Sequence, residues 1–196
     1  MGFYPYNPTL GQEIQTDIPG HHVDRSFGAH LTWDAPAAAS NNAVLAATAL
    51  ADGAVTTVVA GITNPDVPRA LRVRGNAATA VGNVVATGTN MAGAVITETI
   101  IAAGDANVEG NLAFATVTQI VLPARGAAGD TISIGYNDKL GLPYLLPVNT
   151  VLAAAINNVR EATAPTVTVS ATVLAANTCD LDSALNATQV DAWLLV

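Results

Sequence analysis

The chain has 196 residues and a net charge of -8, with seven basic residues in all; 51% of it is hydrophobic, 11% charged and only 5% aromatic. So few cations cannot displace the counterions of a nucleic-acid backbone or hold an anionic bilayer, which speaks against nucleic-acid and membrane partners. One cysteine, Cys179, rules out an internal disulfide, and the core has to come from Val, Ile, Leu and much Ala.

Residues 1–42 carry no period of 2 or 3.6. They hold Phe3, Tyr4 and Tyr6 among Pro5, Pro8 and Pro19, then His21, His22 and His30, then Trp33. This composition predicts an extended N-terminal arm with aromatic anchors rather than a packed element. The first twenty residues show no basic region followed by an apolar one, so no secretory signal is expected and the product is read as intracellular. The most apolar stretch, "AVLAATALADGAVTTVVAG", is broken by Asp52 and Gly53 and is not expected to span a membrane.

From residue 43 to 196 the pattern is that of short strands. Thr, Val and Ile alternate with small residues, and Gly, Asn, Asp or Pro intervene at regular spacing. Strands are expected near 43–50, 54–60, 69–74, 81–87, 93–102, 112–122, 130–136, 142–146, 150–156, 166–174 and 188–195. "VATGTNMAGAVITETI" reads as a hairpin, with further turns at "GDANVEGN" and "PARGAAGD". "TVLAAAINNVREAT" has the propensity for two helical turns, and Asp180 or Asp182 would cap one short turn before the last strand. The fold class is therefore all-β: an antiparallel sandwich or open barrel over 43–196, with the arm before it.

"GITNPDVPRALRVRGNA" places two prolines just ahead of three arginines. Pro65 and Pro68 fix φ and lack an N–H, so "NPDVP" is a corner and not central strand. Beyond it Leu71 and Val73 share one face and Arg72 and Arg74 the other. Arg69, Arg72 and Arg74 are read as an outward row, pairing with the chain's own carboxylates or with an acidic partner.

Catalytic chemistry finds little support. The serines at 26, 40, 133, 170 and 183 sit in no GxSxG context, no glycine-rich phosphate loop occurs, and no carboxylate pair stands out. Neither an enzyme nor a bound cofactor is expected. His21, His22, Asp24 and His30 are the densest set of metal ligands, but nothing local fixes their spacing, so no metal is assigned. "DLDSALNAT" and "GDANVEGN" lack the calcium-loop pattern and read as turn chemistry. "NAT" at 186–188 is a formal glycosylation sequon with no expected use. Cys179 reads as a small buried residue, and Trp193, in the apolar "AWLLV", as core or interface.

Several of these segments, "GITNPDVPRALRVRGNA", "GNVVATGTNMAGAVITETI", "FATVTQIVLP", "DTISIGYNDKLGLPYLL" and "LDSALNATQVDAWLLV", together resemble the head decoration, or capsid cement, proteins of tailed bacteriophages. The resemblance spans roughly residues 55–196. It implies a non-enzymatic β-rich virion protein, dimeric or trimeric, bound outside the capsid and reinforcing the major-capsid lattice after synthesis in the host cytoplasm. The contacts expected are Phe3, Tyr4, Tyr6 and Trp33 as apolar anchors and Arg69, Arg72 and Arg74 as polar ones. The alternative is a tail- or fibre-associated module that binds host surface glycan or receptor, with Trp33 or Tyr136 at the wall of a pocket.

Overall fold

The computed structural model describes residues 13–15, 18–19, 22–24 and 27–196, with backbone alone at 13–15 and 22–24. The strands are β1 (Glu13–Gln15), β2 (His22–Asp24), β3 (Gly28–Trp33), β4 (Ser40–Ala49), β5 (Thr56–Val58), β6 (Arg69–Gly75), β7 (Val81–Thr89), β8 (Val95–Ala103), β9 (Val108–Phe114), β10 (Thr116–Leu122), β11 (Thr131–Gly141), β12 (Val151–Ile156), β13 (Val159–Arg160), β14 (Thr166–Thr168), β15 (Thr178–Asp180) and β16 (Val190–Leu195). Every pairing is antiparallel. Among the described residues the one helical element is the single 3-10 turn Leu174–Ala176. The all-β expectation holds.

Two larger sheets enclose the first core. One has the order β5-β10-β7-β8; the other runs β14-β15-β11-β6-β9, with β4 also paired to β11. Leu71 and Val73 of β6, Ile132 and Ile134 of β11, Val84 of β7, Ile100 of β8, Phe114 of β9 and Ile120 of β10 meet between them. Ala80, Ala86 and Ala102 fill the spaces that aromatic side chains would otherwise take. Each buried Leu, Ile or Phe contributes about 1.5–3 kcal/mol relative to leaving it in water, so a core nearly free of aromatics is still adequate.

A second core lies under the sheet β13-β12-β16-β3. It gathers Trp33, Leu140, Leu142, Cys179, Val190, Ala192 and Leu194. β11 joins the two: Ile132, Ile134 and Tyr136 point into the first core and Leu140 into the second. All four share one parity, which the two-residue shift of the β11–β6 register between Tyr136 and Leu140 leaves unchanged. Glycine is required at Gly135, where β4 crosses so closely that a Cβ would overlap the Ser40 carbonyl.

Several expected elements differ. The span 112–122 is two strands, not one: β9 ends at Phe114 and pairs with β6, while β10 starts at Thr116 and pairs with β7 and β5. Residues 142–146 form no strand, since Pro143 and Pro147 remove the ladder donors there. The Ala-rich "TVLAAAINNVREAT" is the β12–β13 hairpin, turned by Asn157 and Asn158 at φ 51° and 62°, the backbone a two-residue type I′ turn demands. No helical turn follows Asp180 or Asp182; Asp180 closes β15. Residues 28–33, grouped with the arm by composition, are β3, the edge strand against β16.

Candidate functional site

The corner at Pro65–Pro68 delivers Arg69 into β6, and its position there corrects the outward reading of this residue. Arg69 has the same parity as Leu71 and Val73 and is 0% exposed. Its guanidinium lies 3.5 Å above the centre of the Tyr136 ring, a cation–π contact in a dry setting. Nη1 donates to the Ala37 carbonyl at 2.8 Å, and Nη2 stands 2.7 Å from Asp66 Oδ1. The other Asp66 oxygen accepts from the Ala37 N–H at 2.7 Å. Arg69, Asp66 and Ala37 thus tie the β3–β4 connection to the proline corner. Burial pulls the Arg69 guanidinium below its usual pKa, and Asp66 opposes that shift.

Arg72 and Arg74 do point away from the core, as alternation requires. Arg72 meets Glu109 at 2.7 Å, and Lys139 reaches the other Glu109 oxygen at 3.3 Å. Burial raises the Glu109 pKa, but hydrogen bonds from Arg72 and Lys139 outweigh it and hold the carboxyl below the ordinary range. Arg74 is exposed and, among the described residues, pairs with no carboxylate. Among the described residues the supposed row is an internal clamp, an intramolecular ion pair and a cation without a carboxylate partner.

The aromatic anchors fare differently. Phe3, Tyr4 and Tyr6 lie outside the described residues. Trp33 is 5% exposed and packs in the second core, although it also lines a depression of about 290 Å³ with Leu31, Val67, Pro68, Met91 and Pro143. Tyr136 is buried and capped by Arg69. Trp193, read as core or interface, is 38% exposed, because β16 turns Val190, Ala192 and Leu194 inward and sets Trp193 on the opposite face. Counting that parity from "VDAWLL" is the signal that would have found it.

On that outer face β16 lies between β12 and β3. Trp193 stands opposite Ala153 on one side and His30 on the other, and Asp191 opposite Ala155 and Thr32. His30 stacks on the indole at 4.9 Å with 3° between the planes. Its Nε2 is 2.8 Å from Asp191 Oδ1, which also accepts from Thr32 Oγ1 at 3.0 Å. Gln189 Nε2 donates to both Asp191 oxygens, at 3.1 and 3.0 Å. Burial pushes the Asp191 pKa up, yet bonds from His30, Gln189 and Thr32 prevail and set it below the ordinary value. A shallow groove of about 450 Å³ runs over these residues, with Arg160 and Asn158 also at its margin.

A second surface is notable for what it lacks. The outer face of the sheet β5-β10-β7-β8 displays Val95, Thr97, Thr99 and Ile101 of β8, Asn83, Val85 and Thr87 of β7, Gln119 and Val121 of β10, and Thr57 of β5. None is charged. Val95 is 75% and Ile101 65% exposed. At the far side of β8 the Glu98 carboxylate turns inward and accepts from the Asn111 N–H at 2.6 Å and that of Leu112 at 3.4 Å. Gly110 makes this approach possible, since a Cβ there would lie 2.6 Å from Glu98 Oε2. An inward carboxylate guards the β8 edge against strand addition.

Among the described residues no group of three His, Cys, Asp or Glu is placed to hold a metal ion, and no helix is long and apolar enough to cross a membrane. Of the histidine set, His30 is engaged with Asp191 and Trp193, while the side chains of His21, His22 and Asp24 lie outside the described residues. No protein-family model, curated protein or solved structure matches this chain.

Proposed function

We propose that this chain is a virion structural protein that decorates a tailed-phage head, binding the capsid exterior as a homo-oligomer and stabilising the major-capsid lattice. The observation that carries the reading is the uncharged face of the sheet β5-β10-β7-β8. Four strands spaced about 4.8 Å apart, with nine residues in β7 and in β8 rising about 3.3 Å each, present roughly 500 Å² of Thr, Val, Ile, Asn and Gln. A patch of that size on a protein of net charge -8 matches a surface covered by a partner, and approaches the share of a standard interface that one subunit supplies. Threonines supply hydrogen bonds without the desolvation cost of charges, which suits a contact repeated over a lattice. The resemblance of residues 55–196 to cement proteins is what favours the head over the tail in this reading.

Immunogold labelling of virions of the phage encoding this chain, with antibody raised against the purified protein, tests the location. Label on heads is expected; label confined to tails transfers the chain to the tail- or fibre-recognition reading. The surface is tested by sedimenting protein with heads stripped of it. Ile101→Glu with Val95→Glu lies on the solvent side of β8, so the fold should survive as judged by circular dichroism, while co-sedimentation is lost. A folded double variant that still binds heads as the parent does would eliminate this face as the contact.

A further inference from the structure

We propose that the groove over β12 and β16 beside Trp193 is a binding site for a neutral saccharide. This goes beyond the shell reading, uses a different sheet and does not depend on it.

The first argument is the state of the indole. A half-exposed tryptophan is usually mobile, but Trp193 is held by the parallel stack of His30, and His30 is itself held by Asp191. One ring face is backed by the imidazole. The cross-strand neighbours on the other side are alanines, Ala153 beside Trp193 and Ala155 beside Asp191, while Leu152 and Arg160 stand further along the groove wall. A flat, fixed aromatic surface above a floor of methyl groups suits the C–H face of a pyranose ring. Because the ring is already ordered, little side-chain freedom is lost when a ligand stacks on it.

The second argument is the polar margin. Asp191 lies at the floor, its side chain 5% exposed, with Oδ1 taking three contacts and Oδ2 only one, that from Gln189. A carboxylate oxygen accepts about two hydrogen bonds, so Oδ2 retains capacity toward the groove. Arg160, across β12 from Asp191, brings guanidinium donors engaged in no ion pair among the described residues. Planar side chains with paired donors and acceptors match vicinal hydroxyls, which both donate and accept. An aromatic anchor from a protein partner would want apolar walls instead.

The third argument is charge. Asp191 and Arg160 balance one another within the groove, and the net charge of -8 repels polyanions, so an uncharged sugar is favoured over an acidic one.

The full chain, labelled with ¹⁵N, is titrated with the methyl glycosides of glucose, galactose and mannose, with neutral hexasaccharides of glucose, xylose and N-acetylglucosamine, and with oligogalacturonate as an acidic comparison. Each is taken to about 10 mM, tenfold above a Kd of about 1 mM. The expected result is movement of the Trp193 indole N–H signal with at least one neutral sugar, while that of buried Trp33 stays fixed. Binding to a hexasaccharide alone points to a polymer as the natural source; equal binding of a methyl glycoside points to a single terminal unit. Trp193→Ala should weaken binding at least fivefold. Ala153→Leu fills the groove from the solvent side without entering the core and should abolish binding while leaving the Trp33 signal in place. The proposal is overturned if no neutral sugar moves the Trp193 signal, if only oligogalacturonate does, or if binding survives Ala153→Leu.

Discussion

Arg69→Ala is the sharpest stability test of the corner. The substitution removes the cation from Tyr136, takes the donor from the Ala37 carbonyl and leaves Asp66 with only the N–H groups of Ala37 and Val67. Breaking a buried ion pair from one side costs about 3–5 kcal/mol. Asp66 is about one-third exposed and recovers some hydration, so the lower end, about 3 kcal/mol, is expected. For a chain near 200 residues each kcal/mol moves Tm by about 2–4 °C, which gives a fall of about 6–12 °C. Arg72→Ala is the control, because its pair is partly solvated and Glu109 keeps Lys139; about 0.2–1 kcal/mol is expected there. Arg69→Lys keeps the charge but not the planar fork that spans Ala37 and Asp66, and should fall between the two. Urea unfolding followed by far-UV circular dichroism, with m-values compared across variants, measures all three. If Arg69→Ala costs no more than Arg72→Ala, the clamp between the β3–β4 connection and the corner does not hold.

Two further outcomes follow from ionisable groups inside the fold. Asp130 accepts from Thr79 Oγ1 at 2.7 Å and from the N–H groups of Ala127 and Gly126, which together set its pKa below the ordinary value. A carboxyl with a lowered folded pKa stabilises above its unfolded value of about 3.9, and that contribution is lost as pH falls through the folded one. Thr79→Val should therefore be less stable than the parent at pH 7, with the gap narrowing toward pH 2; a gap independent of pH would refute the linkage. Cys179 is fully buried, and burial raises its thiol to about 12. Iodoacetamide at pH 8 should label it in urea and spare it in the native protein, and labelling at equal rates would contradict the burial. Because the unfolded thiol ionises near 8.5, the stability this group contributes is present below that pH and declines as pH rises toward the folded value.

Wherever one face of a strand is buried, its neighbours in sequence already reveal it. Leu71 and Val73 against Arg72 and Arg74, and Ile100 and Ala102 against Thr99 and Ile101, follow from a side-chain period of two that no tertiary contact can alter. The proline corner was readable for the same kind of local reason, since a missing N–H excludes a central strand. Arg69 was misread although its parity was available: charge suggested solvent, and only the meeting of Tyr136, Asp66 and Ala37 makes a dry guanidinium tolerable. β3 was hidden because its partner β16 lies about 160 residues away. The sequence alone determined that this is an alternating, turn-punctuated β-chain with little charge. Only the tertiary structure decided which sheet face stayed uncharged and open, and that His30, Asp191 and Trp193 would converge on one groove. Local periodicity sets which way a side chain points; long-range pairing sets what it finds there.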